Sequence, residues 1–360
     1  MNKIFKAILV FCFLITLSGC SFDDKTGLWI DKKIKKSSDV KLVQLSGNQN
    51  EFQKEFNTDL NIGFKTKAKL NSKWIMPGLN YSNSVSHLFL DAKSNNFSKF
   101  KFEKIPKLAV KENPIIIDKN FLITMGEKGS IVKFVNRKRV QWNRNVYSKK
   151  EKKKIQKISL ALHKNILYAL DNLGKYYAIN VDTGEIIWLR RHDALFNSQI
   201  KVRKDKIFAI DSNNIINCFS AKDGKQIWKF STPSTFIKTN KKLSLIVTSN
   251  SVIFSNSAGD IARVNINNGE LVWFMPTQNT LLKHSTNFLE TSDIVLFEDN
   301  LFFSNNFSKL FALNINSGEL KWMLNVNSNL RPVLIDNFLF TISKQGYLIV
   351  IDKNKGEIVR

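Results

Sequence analysis

The sequence predicts an all-β protein, a β-propeller of four-stranded antiparallel blades. Three observations predict this fold: a segment that recurs along the chain, β-type runs at a nearly constant spacing in each copy, and a Gly-containing turn followed by a tryptophan. Repeats of about 40 to 50 residues with four short strands each are typical of propeller blades.

Composition places the chain among globular proteins. It has 360 residues, of which 43% are hydrophobic, and this suffices for a sizeable core despite a formal net charge of +25. The three cysteines are too few for a disulfide framework, and the four histidines show no metal-ligand spacing. A strongly basic chain usually favours nucleic acid or an anionic membrane as its partner.

The first twenty residues predict export, which puts cytoplasmic nucleic acid out of reach. Residues 1–6 carry two lysines, residues 7–17 are almost wholly apolar, and Leu17-Ser18-Gly19-Cys20 follows. This layout is typical of a secretory signal peptide, and its apolar run is too short to span a bilayer. The tetrapeptide resembles the lipobox of bacterial lipoproteins. That resemblance implies cleavage after residue 19, lipidation of Cys20 and, with Ser21 next, delivery to the outer membrane.

Two regions are expected after the signal peptide of residues 1–19. Residues 20–73 have charged clusters and little periodicity, which predicts a lipidated N-terminus and flexible tether. Residues 74–360 are predicted to form the propeller. Its repeats are expected at about 108–142, 159–188, 198–228, 244–273, 292–322 and 331–360.

The second repeat shows the signals from which each blade is predicted. Asn165 marks a hairpin tip, residues 166–170 and 176–180 read as strands, and Thr183-Gly184 forms the last turn. We expect the tryptophan after each such turn to fill the wedge between neighbouring blades, with roughly 150–250 Å² buried per side chain. These structural tryptophans are Trp142, Trp188, Trp228, Trp273 and Trp322.

The repeated Ala-Ile-Asn, Gly and Trp pattern of residues 178–188 resembles the pyrroloquinoline quinone (PQQ) propeller superfamily. Quinoprotein dehydrogenases share this repeat with BamB, the scaffold lipoproteins of the outer-membrane β-barrel assembly machinery. The lipobox favours the BamB family. The segment Trp74-Ile75-Met76-Pro77-Gly78-Leu79-Asn80, followed by His87-Leu88, resembles its alphaproteobacterial members, although Leu79 stands where that family often has Gly.

The family resemblance implies eight blades, whereas six repeats are visible and the sixth ends at Arg360. We expect either a sequence truncated by one or two blades or a smaller ring. In the second case residues 97–105, which resemble the family's closing strand, would complete the last blade.

A quinone-dependent enzyme is the alternative function. It needs a carboxylate base, a Ca²⁺ held by oxygen ligands and, in many members, an adjacent pair of cysteines. Once Cys20 is lipidated, Cys218 is the remaining thiol of the mature chain, and most acids lie in hairpin turns. We therefore predict no catalytic, cofactor or metal site and no small-molecule substrate.

The resemblance implies a scaffold that binds the periplasmic domains of the barrel-inserting subunit, BamA. Two long loops between repeats are the predicted contact surface, and an apolar centre with a charged rim is typical of binding hot spots. The predicted partner-binding residues are Phe236, Ile237, Lys238, Ser292, Asp293 and Ile294. Alternatively, Phe236 and Ile237 pack onto their own blade and Asp293 caps its hairpin. A different periplasmic partner, such as peptidoglycan or a lipoprotein-transport component, is the competing class.

Residues 137–157 form a basic run, with ten Lys and Arg residues and one Glu. A solvated loop between the first two blades is the expected reading. Binding to anionic lipid or to an acidic partner is the alternative.

Overall fold

The computed structural model of the chain divides into two units, residues 1–50 and 51–360. In the first unit, β1 (Ser21–Phe22) pairs antiparallel with β2 (Trp29–Ile30). Besides the backbone of these two strands, the structure describes residues 62–85, 87–90, 114–118, 120–135, 139–232, 239, 241–277, 291–305 and 308–360. The predicted lipidation site, Cys20, and the predicted closing strand at residues 97–105 lie outside the described residues.

Six antiparallel sheets make up the described part of the second unit, and in each sheet consecutive strands pair in chain order. Blade 1 contains β3 (Ile115–Asp118), β4 (Phe121–Met125), β5 (Ile131–Val135) and β6 (Arg139–Arg144). Blade 2 contains β7 (Ile158–His163), β8 (Ile166–Asp171), β9 (Lys175–Asn180) and β10 (Ile186–Arg191). Blade 3 contains β11 (Lys201–Arg203), β12 (Lys206–Ile210), β13 (Ile215–Ser220) and β14 (Gln226–Ser231).

The remaining three sheets repeat this order. Blade 4 contains β15 (Leu245–Val247), β16 (Ser251–Ser255), β17 (Ile261–Asn265) and β18 (Leu271–Met275). Blade 5 contains β19 (Val295–Phe297), β20 (Asn300–Asn305), β21 (Lys309–Asn314) and β22 (Leu320–Leu324). Blade 6 contains β23 (Val333–Ile335), β24 (Phe338–Ile342) and β25 (Leu348–Asp352), and Ile358 bridges to Ile351 at the fourth position. The prediction of an all-β propeller with antiparallel blades is confirmed.

Strand order defines two faces of the propeller. In an antiparallel sheet paired in chain order, the first and third turns lie at one end of the strands. The second turn and the exit to the next blade lie at the other end. We call the first of these ends the hairpin face; it includes the tips at Asn165, Asp205 and Asp336. We call the other end the connection face; it includes residues 145–157, 192–200 and 325–332.

The core consists of five apolar clusters, each shared by two consecutive blades. Because neighbouring blades cover both sides of the middle strands, these strands are apolar almost throughout: all five residues of β16 are buried. The outermost strands have a solvent-exposed side, as at Ile187, which is 48% exposed.

Tryptophan side chains fasten each blade to the next. Trp228, at the start of β14, lies against Gly269 of blade 4, and its indole Nε1 donates a 3.1 Å hydrogen bond to the carbonyl of Ile266. A β-bulge in each of the first five blades shifts the register just before the tryptophan, which aims the ring at the next blade. The other four tryptophans donate in the same way: Trp142 to Val181, Trp188 to Ala221, Trp273 to Ile315 and Trp322 to Lys353.

Residues 74–84, here called the central segment, occupy the axis of the propeller. The segment hydrogen-bonds with the first strand of five consecutive blades. Trp74 and Ile117 exchange backbone hydrogen bonds of 2.7 and 2.8 Å in blade 1, and Leu162 of blade 2 donates to the carbonyl of Ile75. In blades 3 to 5 the partners are Tyr81 with Val202, Tyr81 with Val247 and Ser82 with Leu296.

Blade 6 contacts the residues that precede the central segment. The carboxylate of Asp336, at the hairpin face, accepts hydrogen bonds from the backbone amides of Lys65 and Thr66. The ring of Phe64 lies 5.9 Å from that of Phe340. Residues 64–84 therefore contact all six described blades, with their N-terminal end at the hairpin face.

Candidate binding site on the connection face

A cavity of about 650 Å³ opens at the axis. Its floor is the central segment at Trp74, Pro77 and Gly78, and its apolar wall comes from the first strands of blades 1 and 2, including Ile115, Ile117 and Leu160. Its polar lining precedes the first strands of blades 3 to 6, which places the opening on the connection face. That polar lining includes Gln199, Lys241, Lys242, Asp293, Asn329 and Arg331.

The predicted Ser292-Asp293-Ile294 motif is divided between core and cavity. Ser292 is buried, and its Oγ accepts a 2.9 Å hydrogen bond from the Ser304 amide, which ties this segment to β20. Ile294 is fully buried, and its amide donates to the Oγ of Ser244. Only the half-buried Asp293 faces the cavity, where its carboxylate accepts a 3.0 Å hydrogen bond from Gln199 Nε2.

Gln199 is the blade 3 counterpart of Asp293, and the sequence analysis missed it. Ser198 holds this segment as Ser292 does in blade 5: its Oγ donates to the carbonyl of Gln199 and accepts from the amide of Ile210. The signal was the match of Ser198-Gln199-Ile200 to Ser292-Asp293-Ile294, two copies of a Ser-polar-Ile triplet at the same place in the repeat.

Beneath the cavity floor lies Lys201, a fully buried side chain that the sequence analysis also missed. Its ammonium donates to the carbonyls of Pro77 and Asn80 and to the Oδ1 of Asn83, with the last contact at 2.8 Å. Burial lowers the pKa of Lys201 to about 7, Asp293 opposes this shift and Arg331 adds to it. The three N–H groups of an ammonium match these three acceptors, so the charged form of Lys201, which prevails below about pH 7, fixes the turn of the central segment.

Three basic side chains line the mouth. Lys241 Nζ donates a 2.5 Å hydrogen bond to the carbonyl of Asn329, which connects the segments that precede blades 4 and 6. Lys242 Nζ lies 3.3 Å from the carbonyl of Ile158, and Arg331 completes the set. With Asp293 as the one carboxylate among them, the described lining residues carry a net positive charge.

Other predicted residues lie elsewhere. Phe236, Ile237 and Lys238 fall outside the described residues, so their contact role stays a prediction. The neighbouring Thr239 is on the connection face, where its carbonyl accepts a 2.7 Å hydrogen bond from Asn197 Nδ2.

Three features of the described part of the chain bear on chemistry and on membrane contact. Cys218 is buried in β13, and burial raises the pKa of its thiol to about 12. Over the described ranges, no three His, Cys, Asp or Glu residues lie close enough together to hold a metal ion. The same residues include no helix with the length and hydropathy needed to cross a bilayer.

Comparison with known proteins identifies the family. The family model described as outer membrane protein assembly factor BamB matches residues 116–360. The chain belongs to this family. The predicted resemblance is thereby confirmed, and no curated protein sequence gives a significant match.

Solved structures with the same fold include BamB from Moraxella catarrhalis. It has a TM-score of 0.58 and 12% identity, over 69% of this chain and 74% of that protein. The computationally designed Ika8 protein has a TM-score of 0.50 and 12% identity, over 66% and 70% of the two chains. The quinohemoprotein alcohol dehydrogenase ADHIIG from Pseudomonas putida HK5 has a TM-score of 0.52 and 12% identity, over 78% of this chain and 57% of that protein. At these identities the likeness concerns the fold alone.

Proposed function

We propose that this BamB family member is a non-catalytic scaffold lipoprotein on the periplasmic side of the outer membrane. It binds the periplasmic domains of the barrel-inserting subunit through the connection face and so aids insertion of β-barrel proteins. The observation that carries this proposal is the placement of Asp293 at the axial mouth by its buried neighbours Ser292 and Ile294.

The connection face has the features of a docking surface. Asp293 is held in one orientation by Gln199 before any partner arrives, which lowers the entropy lost on binding. Thr239, which follows the predicted contact residues Phe236, Ile237 and Lys238 in the chain, lies on this same face. Inter-blade connections on a rigid ring are also where a propeller can vary its surface without disturbing its core.

The predicted anchor suits this arrangement. Lipidation at Cys20 would place acyl chains in the membrane, with the predicted tether of residues 20–73 as the link to the propeller. That link reaches the described propeller at Lys65 and Thr66, which bind Asp336 on the hairpin face. These two residues therefore lie at the end of the propeller opposite to the proposed docking surface.

Co-purification of the barrel-inserting subunit from detergent-solubilised membranes tests the docking surface. We expect the double variant Phe236→Ala with Asp293→Ala to lose the subunit. The matched control, Ile187→Ala with Glu185→Ala, removes one apolar and one acidic side chain that are both exposed in blade 2, and it should retain the subunit. Retention by a folded Phe236/Asp293 variant would refute the loop assignment. Recovery of a different periplasmic partner instead would favour the competing class of function.

The enzyme alternative has its own assay. Reduction of a redox dye by the purified chain with added PQQ, Ca²⁺ and a panel of alcohols would contradict the non-catalytic role. We expect no turnover above the rate without protein.

A further inference from the structure

We propose that the axial cavity is a carboxylate-binding site that takes an acidic side chain of the docked partner protein. This inference rests on the proposed function and adds to it the chemistry of the partner's contact element. The site combines a floor formed by the central segment, three basic side chains at the mouth and the buried Lys201 beneath the floor.

The charge of the cavity selects an anion. Lys241, Lys242 and Arg331 line it together with one carboxylate, that of Asp293, which Gln199 already engages. The ammonium form of Lys201, whose three N–H groups have three acceptors, adds positive charge below the floor as the pH falls. Because the surroundings are partly shielded from water, this excess positive charge attracts an anion more strongly than the same charges on an open surface.

Arg331 is the residue best suited to bind the carboxylate directly. Within the described part of the chain, its guanidinium has no hydrogen-bond or ion-pair partner, although it lines the cavity. A guanidinium presents paired N–H donors that match the two oxygens of a carboxylate. Lys241 and Lys242, by contrast, donate to backbone carbonyls, which are neutral acceptors.

Cavity size and access favour a segment of a protein over a lone ion. A volume of about 650 Å³ lies within the usual range of pockets that enclose drug-sized ligands, and it greatly exceeds one carboxylate group. The central segment contributes Pro77 and Gly78 to the floor, and the polar lining at the opening lies on the connection face. That is the face on which Asp293 and Thr239 lie, so a partner docked there covers the opening.

The test measures binding of the full chain to the purified periplasmic domains of the barrel-inserting subunit, by calorimetry at 50 to 500 mM NaCl. Arg331→Glu with Lys242→Glu reverses two charges in the cavity. Lys128→Glu with Lys344→Glu reverses two exposed charges on the same face outside it. We expect the cavity variant to bind at least tenfold more weakly at 50 mM NaCl and with a flatter salt dependence. The control should change affinity less than twofold.

Circular dichroism and the urea midpoint establish that each variant is folded. Unchanged binding by the folded cavity variant overturns the carboxylate site while leaving the scaffold function intact. If the parent chain does not bind the subunit at any salt concentration, the proposed function fails. The effect of citrate on the melting temperature then tests the carboxylate site without the subunit. Citrate that raises the melting temperature of the parent and the control, but not of the cavity variant, supports a carboxylate site. Equal shifts in all three proteins overturn it.

Discussion

Substitution of Gly269, which lies in a turn of blade 4 against the tryptophan of blade 3, tests how the blades are joined. Gly269 has a φ of +76°, and a Cβ built there would lie 2.5 Å from Cε3 of Trp228, so alanine must displace the indole. Gly346 also has a positive φ, +93°, but a Cβ there meets no atom within 4 Å. The two positions share backbone strain and differ in the tryptophan contact, which makes Gly346→Ala a matched control.

The expected magnitudes follow from these contacts. Alanine in a left-handed conformation costs about 1–2 kcal/mol at either position. At Gly269 the overpacked indole adds about 1–3 kcal/mol, and weakening of its hydrogen bond to Ile266 adds about 1 kcal/mol. We therefore expect Gly346→Ala to lower the free energy of unfolding by about 1–2 kcal/mol and Gly269→Ala by roughly 3–6 kcal/mol.

Equilibrium unfolding in urea, followed by circular dichroism, measures both variants under the same conditions. The effect of the added methyl group on the unfolded chain is the same in both and cancels in the difference. Equal losses of stability would refute the role of Trp228 as the element that fastens blade 3 to blade 4.

Three further predictions concern the axis, a loop and the core. Leu79 has a φ of +76°, so Leu79→Gly should raise the free energy of unfolding by up to about 1 kcal/mol in urea titrations, and a loss would show that its side-chain packing outweighs the strain. Hydrogen bonds from Lys175 and the Ser148 amide lower the pKa of Glu151 to about 2, so their contribution to stability is complete above pH 4.5 and is lost as the pH falls towards 2. Lys175→Met should flatten this part of the pH–stability curve, and an unchanged slope would contradict the pairing. The buried thiol of Cys218 should react with a maleimide only at the rate of unfolding, and rapid labelling of the native protein would contradict its burial.

The blades were predictable from sequence because their signals are local. The turn at Gly184 and the tryptophan at Trp188 recur at fixed spacing, and each needs only the neighbouring repeat to explain it. Leu79 could be flagged as a departure from the family pattern, but its cause, a left-handed backbone, emerged only from the structure.

The centre of the molecule was beyond local reasoning. Tyr81 and Ser82 form hydrogen bonds with strands more than a hundred residues away along the chain. The periodicity of the sequence does not predict such pairings. Lys201 reads as an ordinary polar position in a short strand, yet three acceptors from the central segment surround its ammonium. Asp293 was identified through family resemblance, whereas its counterpart Gln199 could have been found by matching the Ser-polar-Ile triplets of the two repeats.

Site-specific photo-crosslinking in intact cells tests the proposed docking most directly. A photoreactive amino acid replaces Asp293 at the axial mouth in one strain and Glu185 on the hairpin face in another. We expect crosslinks to the barrel-inserting subunit from position 293 and none from position 185. Crosslinks to that subunit from position 185 alone, or none from position 293 in a protein that is folded and exported, would contradict docking through the connection face.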